Sequence, residues 1–417
     1  MPRALTLIPA DEARRILLQT PAVSVERASV TRAGGRVLAE AFVAPEDLPA
    51  ERRSVMDGYA IRAADVATAS ELMSVSLRLV GVVAMGDVFR GAVAAGEAVA
   101  ISTGGFLPAG TDAVVMLEHT SSTGESEGVG RSIEVERAVK PGANVIAAAE
   151  DFARGAAVLP AGRRLRPQDL AALATFGAAE VAVFRRPRVT VLSTGNELCA
   201  PGETPGPGQV RDANQSALLA QVATAGCDAV AGGIVRDDAA ALREAVSRAL
   251  AESDAVILSG GSSIGTKDVA ADALLDLPAP GVLFHGIDIR PGKPTLFARA
   301  GKKPVVGMPG FPTSSLVVFD AFIRPMLACL GGESPIEVWP ARRRAQLTKV
   351  QPSVVGREDY LRVRLVERAG AGGEPLAEPL VGGSAALSNV VFADGLVRVP
   401  AERAGLEAGE SVDVLSY

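Results

Sequence analysis

R-V-T-V-L-S-T-G-N-E, residues 188–197, sets the architecture. Arg188–Leu192 reads as a buried strand, and Ser193-Thr194-Gly195 stops it in a turn. Outward from this run the pattern alternates. Asn214–Ala225 carries Leu218, Leu219, Val222 and Ala225 at helical spacing. Val230–Val235 is a strand, Ala239–Leu250 a helix, and Ala255–Leu258 and Pro304–Gly307 two further strands. Ser314–Leu330 is a long apolar helix. Strand–helix alternation implies a mainly parallel, doubly wound sheet across residues 186–331.

The flanks have other periods. Residues 1–45 read as amphipathic and helical, with Ala13, Ile16, Leu17 and a stretch running to Leu38, until Pro45, Pro49 and Glu51-Arg52-Arg53 break the pattern. Residues 54–139 are β-rich. Val75, Leu77 and Leu79 share one face of Ser74–Val80, Ser132–Glu136 alternates too, and Ser121–Gly130 is a polar loop. Residues 140–185 are linker-like, then helical from near Pro167 through Leu170, Leu173, Ala174 and Phe176. This segment is expected to pack with the N-terminal helices, which makes the β-rich part an insertion. Trp339, Arg342–Arg344, Leu361–Leu365 and Leu396–Pro400 suggest a small β domain at the end. The expected division is therefore 1–45 with 140–185 as a discontinuous linker domain, 46–139 as the inserted β-rich domain, 186–331 as the α/β domain, and 332–417 as a C-terminal β domain.

Composition excludes several functions. The chain of 417 residues carries a net charge of −6, which argues against a general nucleic-acid binder with a basic face. An anionic ligand must be met by local donors. Three distant cysteines, Cys199, Cys227 and Cys329, give no disulfide framework or CxxC site and suit a reducing, cytoplasmic setting. Only two histidines, His119 and His285, are present, which excludes a histidine-based zinc site. Leu5–Ile8 is too short for the apolar core of a leader, and Asp11 and Glu12 follow it. No run approaches the roughly 18 apolar residues of a membrane span.

In a doubly wound sheet, ligands sit beyond the carboxyl ends of the strands. Those ends carry Ser193-Thr194-Gly195-Asn196-Glu197, Arg236-Asp237-Asp238, and Ser259 through Gly265 followed by Lys267 and Asp268. Arg290-Pro291-Gly292-Lys293-Pro294 and Gly307 through Ser315 follow. Glycines let backbone N–H groups approach a ligand, and the last loop opens a helix whose N-terminus favours an anion. Glu197, Asp237 and Asp268 suit a hydrated Mg²⁺. Five such loops point to a phosphorylated or oxyanion-bearing small molecule with a divalent cation. Asp237 serves equally as a ligand or as a cap for the helix near Ala239, and Asp238 is the better cap.

No P-loop and no GxGxxG after a strand is present. Gly261-Ser262-Ser263-Ile264-Gly265 is a GxSxG, which would make Ser263 a nucleophile with Asp268 and His285 in the order of a hydrolase triad. The separation of those residues is too short for that fold. Asp57-Gly58 by itself predicts a hairpin turn, and Ser102-Thr103-Gly104-Gly105 another turn.

Taken in order, Met56-Asp57-Gly58-Tyr59-Ala60, Ser193-Thr194-Gly195 with Glu197, Ser259-Gly260-Gly261 through Gly265 with Asp268, Pro291-Gly292-Lys293-Pro294 and Gly307-Met308-Pro309-Gly310 resemble the molybdopterin molybdenumtransferase family, the MoeA and gephyrin E-domain type. The resemblance spans essentially the whole chain. It implies a MoaB-like α/β domain, four domains and a homodimer. It implies an enzyme that takes adenylylated molybdopterin and molybdate, uses Mg²⁺ and releases AMP. By resemblance Asp57 and Thr103 reach across the dimer, and Glu197, Asp237 and Asp268 serve the adenylate, with Glu197 and Asp268 on the cation. Ser193, Thr194, Gly195, Ser259, Gly260, Gly261, Ser263, Arg290, Lys293, Pro309, Gly310 and Ser314 hold the pterin and its anionic groups, and Ser384 lines the pocket from the C-terminal domain. A molybdopterin adenylyltransferase is the implied partner; nucleic acid and membrane are not.

The chain departs from the family in three places. Ile146 through Asp151 keeps only the acids of a Gly-Glu-Asp preceded by arginines, Arg290 stands for a lysine, and Gly286 for a basic residue. A non-catalytic pterin carrier and a tungstate-specific paralogue therefore stay open.

Overall fold

The computed structural model describes residues 6–123, 128–260, 269–334, 342–368, 373–380, 382–383 and 385–417. The chain forms two compact units. One comprises residues 1–40, 161–170 and 179–417, the other 41–160 and 171–178.

The first unit is built on a six-stranded sheet. Its strand order is Asp228–Val235, Arg188–Thr194, Ala255–Ser259, Lys303–Met308, Leu296–Ala300, Pro280–His285. The first four strands are parallel, as the alternation predicts. Leu296–Ala300 runs antiparallel to Lys303–Met308, and Pro280–His285 antiparallel to Leu296–Ala300; neither strand was expected from the sequence. Arg299, Ala300, Gly301 and Lys303 make a hairpin of mixed polarity, so no clean apolar run marks it.

The sheet is covered on both faces. Val189, Val191 and Ile257 pack with Leu218 and Val222 and with Phe319 and Phe322 of the long apolar helix. Leu192, Val256 and Leu258 pack with Leu242 and Val246 and with Leu274. The long helix runs as Pro312–Val318, a π-turn Phe319–Ile323, then Arg324–Leu330. Pro325 has no N–H to give, and the wider turn lets the helix pass it. Contrary to the expectation that no run reaches membrane length, Pro312–Leu330 is 19 residues with mean hydropathy 1.4. It is a core helix here, with 83% of that stretch buried.

The C-terminal β domain closes on itself. Glu358–Val366 pairs with Leu376–Pro379 and with Gly395–Val399, and Arg342–Leu347 and Ser411–Ser416 complete the ring. Alternate residues such as Ala345, Leu347, Val363, Val397 and Val414 fill its interior. The short strand Ile289–Arg290 joins this sheet in parallel, Ile289 opposite Glu358 and Arg290 opposite Asp359.

The helical reading of residues 1–45 is corrected. Among the described residues of this stretch only Ala10–Leu17 is α-helix, with one 3-10 turn at Val30–Arg32, and Ala10, Ala13 and Leu17 join the α/β core. Val25–Ser29 and Val37–Leu38 are strands on either side of Glu180–Phe184. Pro21 cannot continue the helix, and Gly35 sits at φ 72°. The 140–185 segment thus meets the N-terminal segment through strand pairing, not helix packing.

The second unit holds a six-stranded sheet ordered Ala113–Met116, Gly58–Ile61, Glu97–Ile101, Val75–Val83, Ser132–Val135, Thr120–Thr123. Its two faces feed two cores, Tyr59, Ile61, Leu77 and Leu79 on one and Ala60, Val99, Ile101 and Val114 on the other. Of the expected loop Ser121–Gly130, residues 124–127 lie outside the described residues, and Thr120–Thr123 pairs with Ser132–Val135. Asp57-Gly58 is not a hairpin turn either. Gly58 opens a strand, and a Cβ there would lie 1.9 Å from the Val115 carbonyl oxygen. The bend before it is made by Ser54, whose Oγ donates to the Met56 carbonyl at 2.6 Å.

Ala149 takes φ 60° in the turn where Glu150 accepts from the Ala147 N–H at 2.6 Å. A Cβ in that region costs roughly 1–2 kcal/mol. We expect Ala149→Gly to raise the unfolding free energy by about 0.5–1 kcal/mol in urea titration, as the removed strain exceeds the glycine entropy; a lower midpoint would contradict the left-handed geometry.

Candidate active site

The parallel strands determine where a ligand can sit. Strand order reverses between Arg188–Thr194 and Ala255–Ser259, and ligands bind outside the carboxyl ends at such a switch point. A cleft of about 1280 Å³ opens there, between the α/β sheet and the C-terminal barrel of the same unit.

Its floor is a close approach of two strand ends. Gly260 sits at φ 95°, and a Cβ on it would lie 2.3 Å from the Thr194 carbonyl oxygen. Asn214, buried at the start of its helix, donates to Ser259 Oγ at 2.7 Å and to the Gly310 carbonyl at 2.8 Å. That side chain ties two of the lining loops together. Asp212 Oδ1 in turn accepts the N–H groups of Asn214 and Gln215, each at 3.1 Å.

Thr194, Glu197, Ser259, Gly260, Arg290, Lys293, Pro309, Gly310 and Ser314 all line the cleft. Glu197 folds over Gly195, where a Cβ would meet both carboxylate oxygens at 2.8 Å. Neither the Glu197 carboxylate nor the Lys293 ammonium bonds to any other described residue. Asp237 is not among the lining residues. Its Oδ1 accepts from Thr194 Oγ1 at 2.9 Å and its Oδ2 from the Asn196 N–H at 3.4 Å, so it braces the turn that carries Glu197. Asp238 caps the next helix, accepting from the Ala241 N–H at 2.8 Å. Ser193 is fully buried beneath the floor, its Oγ without a partner among the described residues.

Gly261, Ser263, Asp268 and Ser384 lie outside the described residues, so the GxSxG motif and half of the expected cation pair do too. Gly382, Gly383 and Ala385, around Ser384, line the cleft. Among the described residues no group of three or more His, Cys, Asp or Glu side chains gathers as a metal site. A hydrated Mg²⁺ needs only one or two carboxylates plus phosphate oxygens, and the unpaired Glu197 fits that demand. Cys227 takes no part: burial pushes its thiol up to about 12, and a thiol so protonated is unreactive.

The barrel contributes cations that sequence reasoning missed. Arg357 and Arg362 line the cleft beside Arg290. Arg362 donates only to backbone carbonyls, of Tyr360 at 3.4 Å and Gly382 at 3.1 Å. Burial, and then the neighbouring Arg290, holds its pKa below the usual arginine value. Arg362 sits on the strand Glu358–Val366 and Arg357 in the bend just before it, far along the chain, and the pairing of that strand with Ile289–Arg290 joins them to the site.

In the second unit, Asp57 and Thr103 stand together. Asp57 Oδ1 accepts the Thr103 N–H at 2.7 Å, and both residues are exposed. Thr103 lies in the expected turn, where Gly105 N–H donates to the Ser102 carbonyl at 2.9 Å and Gly104 takes φ 83°.

Fold and cleft define a multidomain α/β protein with a large cleft at the switch point of its parallel sheet. Three family models cover the chain. The MoeA N-terminal region, domains I and II, matches residues 8–177, a probable molybdopterin binding domain residues 190–328, and the MoeA C-terminal region, domain IV, residues 344–417. The molybdopterin molybdenumtransferase of Bacillus subtilis is 32% identical, over 98% of this chain and 94% of its own length. That of Haemophilus influenzae is 32% identical over 98% of both. The crystal structure of a molybdopterin biosynthesis MoeA protein from Pyrococcus horikoshii matches with a TM-score of 0.82 at 30% identity, covering 99% of this chain and 100% of that one. The chain belongs to the MoeA family of molybdopterin molybdenumtransferases.

Asn214→Ala leaves the Ser259 hydroxyl and the Gly310 carbonyl without their shared donor. We expect a loss of about 1–3 kcal/mol in chemical denaturation. An unchanged midpoint would mean that Asn214 does not tie the loops.

Proposed function

We propose that this enzyme inserts molybdate into adenylylated molybdopterin, with Mg²⁺-dependent release of AMP, as a step of molybdenum cofactor biosynthesis. One observation carries the reading. A single cleft holds the Lys293 ammonium and the Arg362 guanidinium, neither with a carboxylate partner among the described residues, together with the unpaired Glu197 carboxylate. Such a site suits anions that arrive with a hydrated cation.

Molybdate is a dianion and the adenylate brings a phosphoanhydride, so their encounter is opposed by like-charge repulsion. Lys293 and Arg362 offset that repulsion, as do Arg290 and the free N–H groups where the long helix begins after Pro309-Gly310. Thr194, Gly195, Ser259, Gly260, Gly261, Ser263, Ser314 and Ser384 shape the pterin and phosphate contacts, with Ser193 buried behind them. Glu197 and Asp268 would hold the Mg²⁺, which would supply charge screening for the phosphate groups. Asp237 acts by holding the turn beneath Glu197. The pterin supplies the sulfurs for molybdenum, so no protein thiol is needed.

The reading extends to a cytoplasmic homodimer of four-domain chains, divided as residues 1–45 with 140–185, 46–139, 186–331 and 332–417. In it, Asp57 and Thr103 of one protomer complete the site of the other. A molybdopterin adenylyltransferase delivers the substrate.

The test is AMP release and formation of molybdenum-loaded pterin from adenylylated molybdopterin, molybdate and Mg²⁺. Wild-type protein is expected to turn over. Glu197→Gln and Lys293→Ala each lose a charge-assisted contact of about 1.5–3 kcal/mol, or roughly 10- to 100-fold in turnover. No AMP release by the wild type removes the assignment, and two fully active variants remove these residue roles.

A further inference from the structure

Asp359 is the most enclosed carboxylate near the cleft, and no role above uses it. Its side chain is 1% exposed. Arg290 Nη2 meets its Oδ2 at 2.6 Å, and Ser353 Oγ donates to the same oxygen at 2.8 Å. Arg357 donates through Nε to Oδ1 at 2.8 Å and through Nη2 to Oδ2 at 3.2 Å. Both arginines line the cleft, and their side chains are 53% and 25% exposed.

The placement follows from strand register. Arg290 ends the short strand Ile289–Arg290, whose parallel partner begins at Glu358, so Asp359 stands directly opposite Arg290. Glu358, one residue earlier, points the other way along the pleat and binds Arg14 and Tyr360. That second cluster anchors the strand to the helix Ala10–Leu17, while Asp359 is taken up by Arg290, Arg357 and Ser353.

The charge count is specific. Two guanidinium groups share one carboxylate, while Arg362 close by has none among the described residues. Arginine forks hold geometry when a carboxylate fixes them, and a loose arginine loses it.

We propose that Asp359 is a positioning residue for the oxyanion-binding wall of the cleft. It fixes Arg290 and Arg357 and cancels one of their two charges, so the wall presents aimed N–H donors in place of a diffuse positive surface. A positioned group can be worth far more to the reaction than to ground-state affinity. This rests on the function proposed above for the cleft.

The test is a double-mutant cycle in the full-length protein with Asp359→Asn, Arg290→Gln and the pair, with Asp359→Glu as a second probe. For Asp359→Asn we expect kcat to fall about tenfold or more while KM for adenylylated molybdopterin moves less than about threefold. In the Arg290→Gln background the same change costs clearly less than in the wild type, because one part of the effect of Asp359 runs through Arg290 and the remainder through Arg357. Asp359→Glu keeps the charge but displaces the forks, and is expected to restore thermal stability more than kcat. Losses that multiply in the double variant, or a wild-type kcat in Asp359→Asn, overturn the proposal.

Inorganic phosphate alone provides a readout independent of the reaction. With the carboxylate gone, phosphate binds about threefold more tightly at low salt, and the gain disappears at high salt. Phosphate affinity equal to wild type at both salts overturns the proposal even if the wild-type enzyme is active. Absent AMP release with altered phosphate binding would instead refute only the catalytic reading.

Discussion

The pairing of Ile289–Arg290 with the start of Glu358–Val366 is a short stretch of parallel ladder, and the cleft depends on it. It joins the last loops of the α/β sheet to a barrel whose strands lie far along the chain. On one side of that ladder, burial disfavours the Arg14 charge, but Tyr360 and Glu358 beside it outweigh burial and hold its pKa above the usual value. Burial likewise raises the Tyr360 phenol. Arg14 also lies 4.8 Å over the Phe322 ring, which ties the N-terminal helix and the long core helix to the same strand. A buried ionic cluster of this kind contributes more to a defined register than to raw stability.

Register then becomes electrostatics. An acidic chain has no global field to attract an anion, so the site must concentrate its donors locally. The α/β rim supplies glycine-lined backbone, Lys293 and one carboxylate. The barrel supplies Arg357, which shares Asp359 with Arg290, and Arg362, which meets no carboxylate among the described residues. Both surfaces line the one cleft.

Several glycines owe their place to neighbours rather than to turns. Gly58 makes room for the Val115 carbonyl, Gly195 for the Glu197 carboxylate, and Gly260 for the Thr194 carbonyl. The same logic read from a dipeptide alone led to a hairpin at Asp57-Gly58, because local turn chemistry is visible in sequence and a strand passing overhead is not.

What the chain determined by itself was period and strand-end chemistry. Buried strands such as Arg188–Thr194 and Ala255–Ser259 alternate with amphipathic helices, and the parallel sheet and its loaded rim follow directly. Short strands such as Val25–Ser29 and Leu296–Ala300 have no such period, and their partners alone made them strands. The tertiary structure decided everything that depends on distance along the chain. It brought Asn214 to Gly310, set Asp359 against Arg290, and put Arg362 into the cleft. Residue type announces a donor or a charge, but whether it faces a ligand or another side chain is settled by register between segments, which local sequence does not encode.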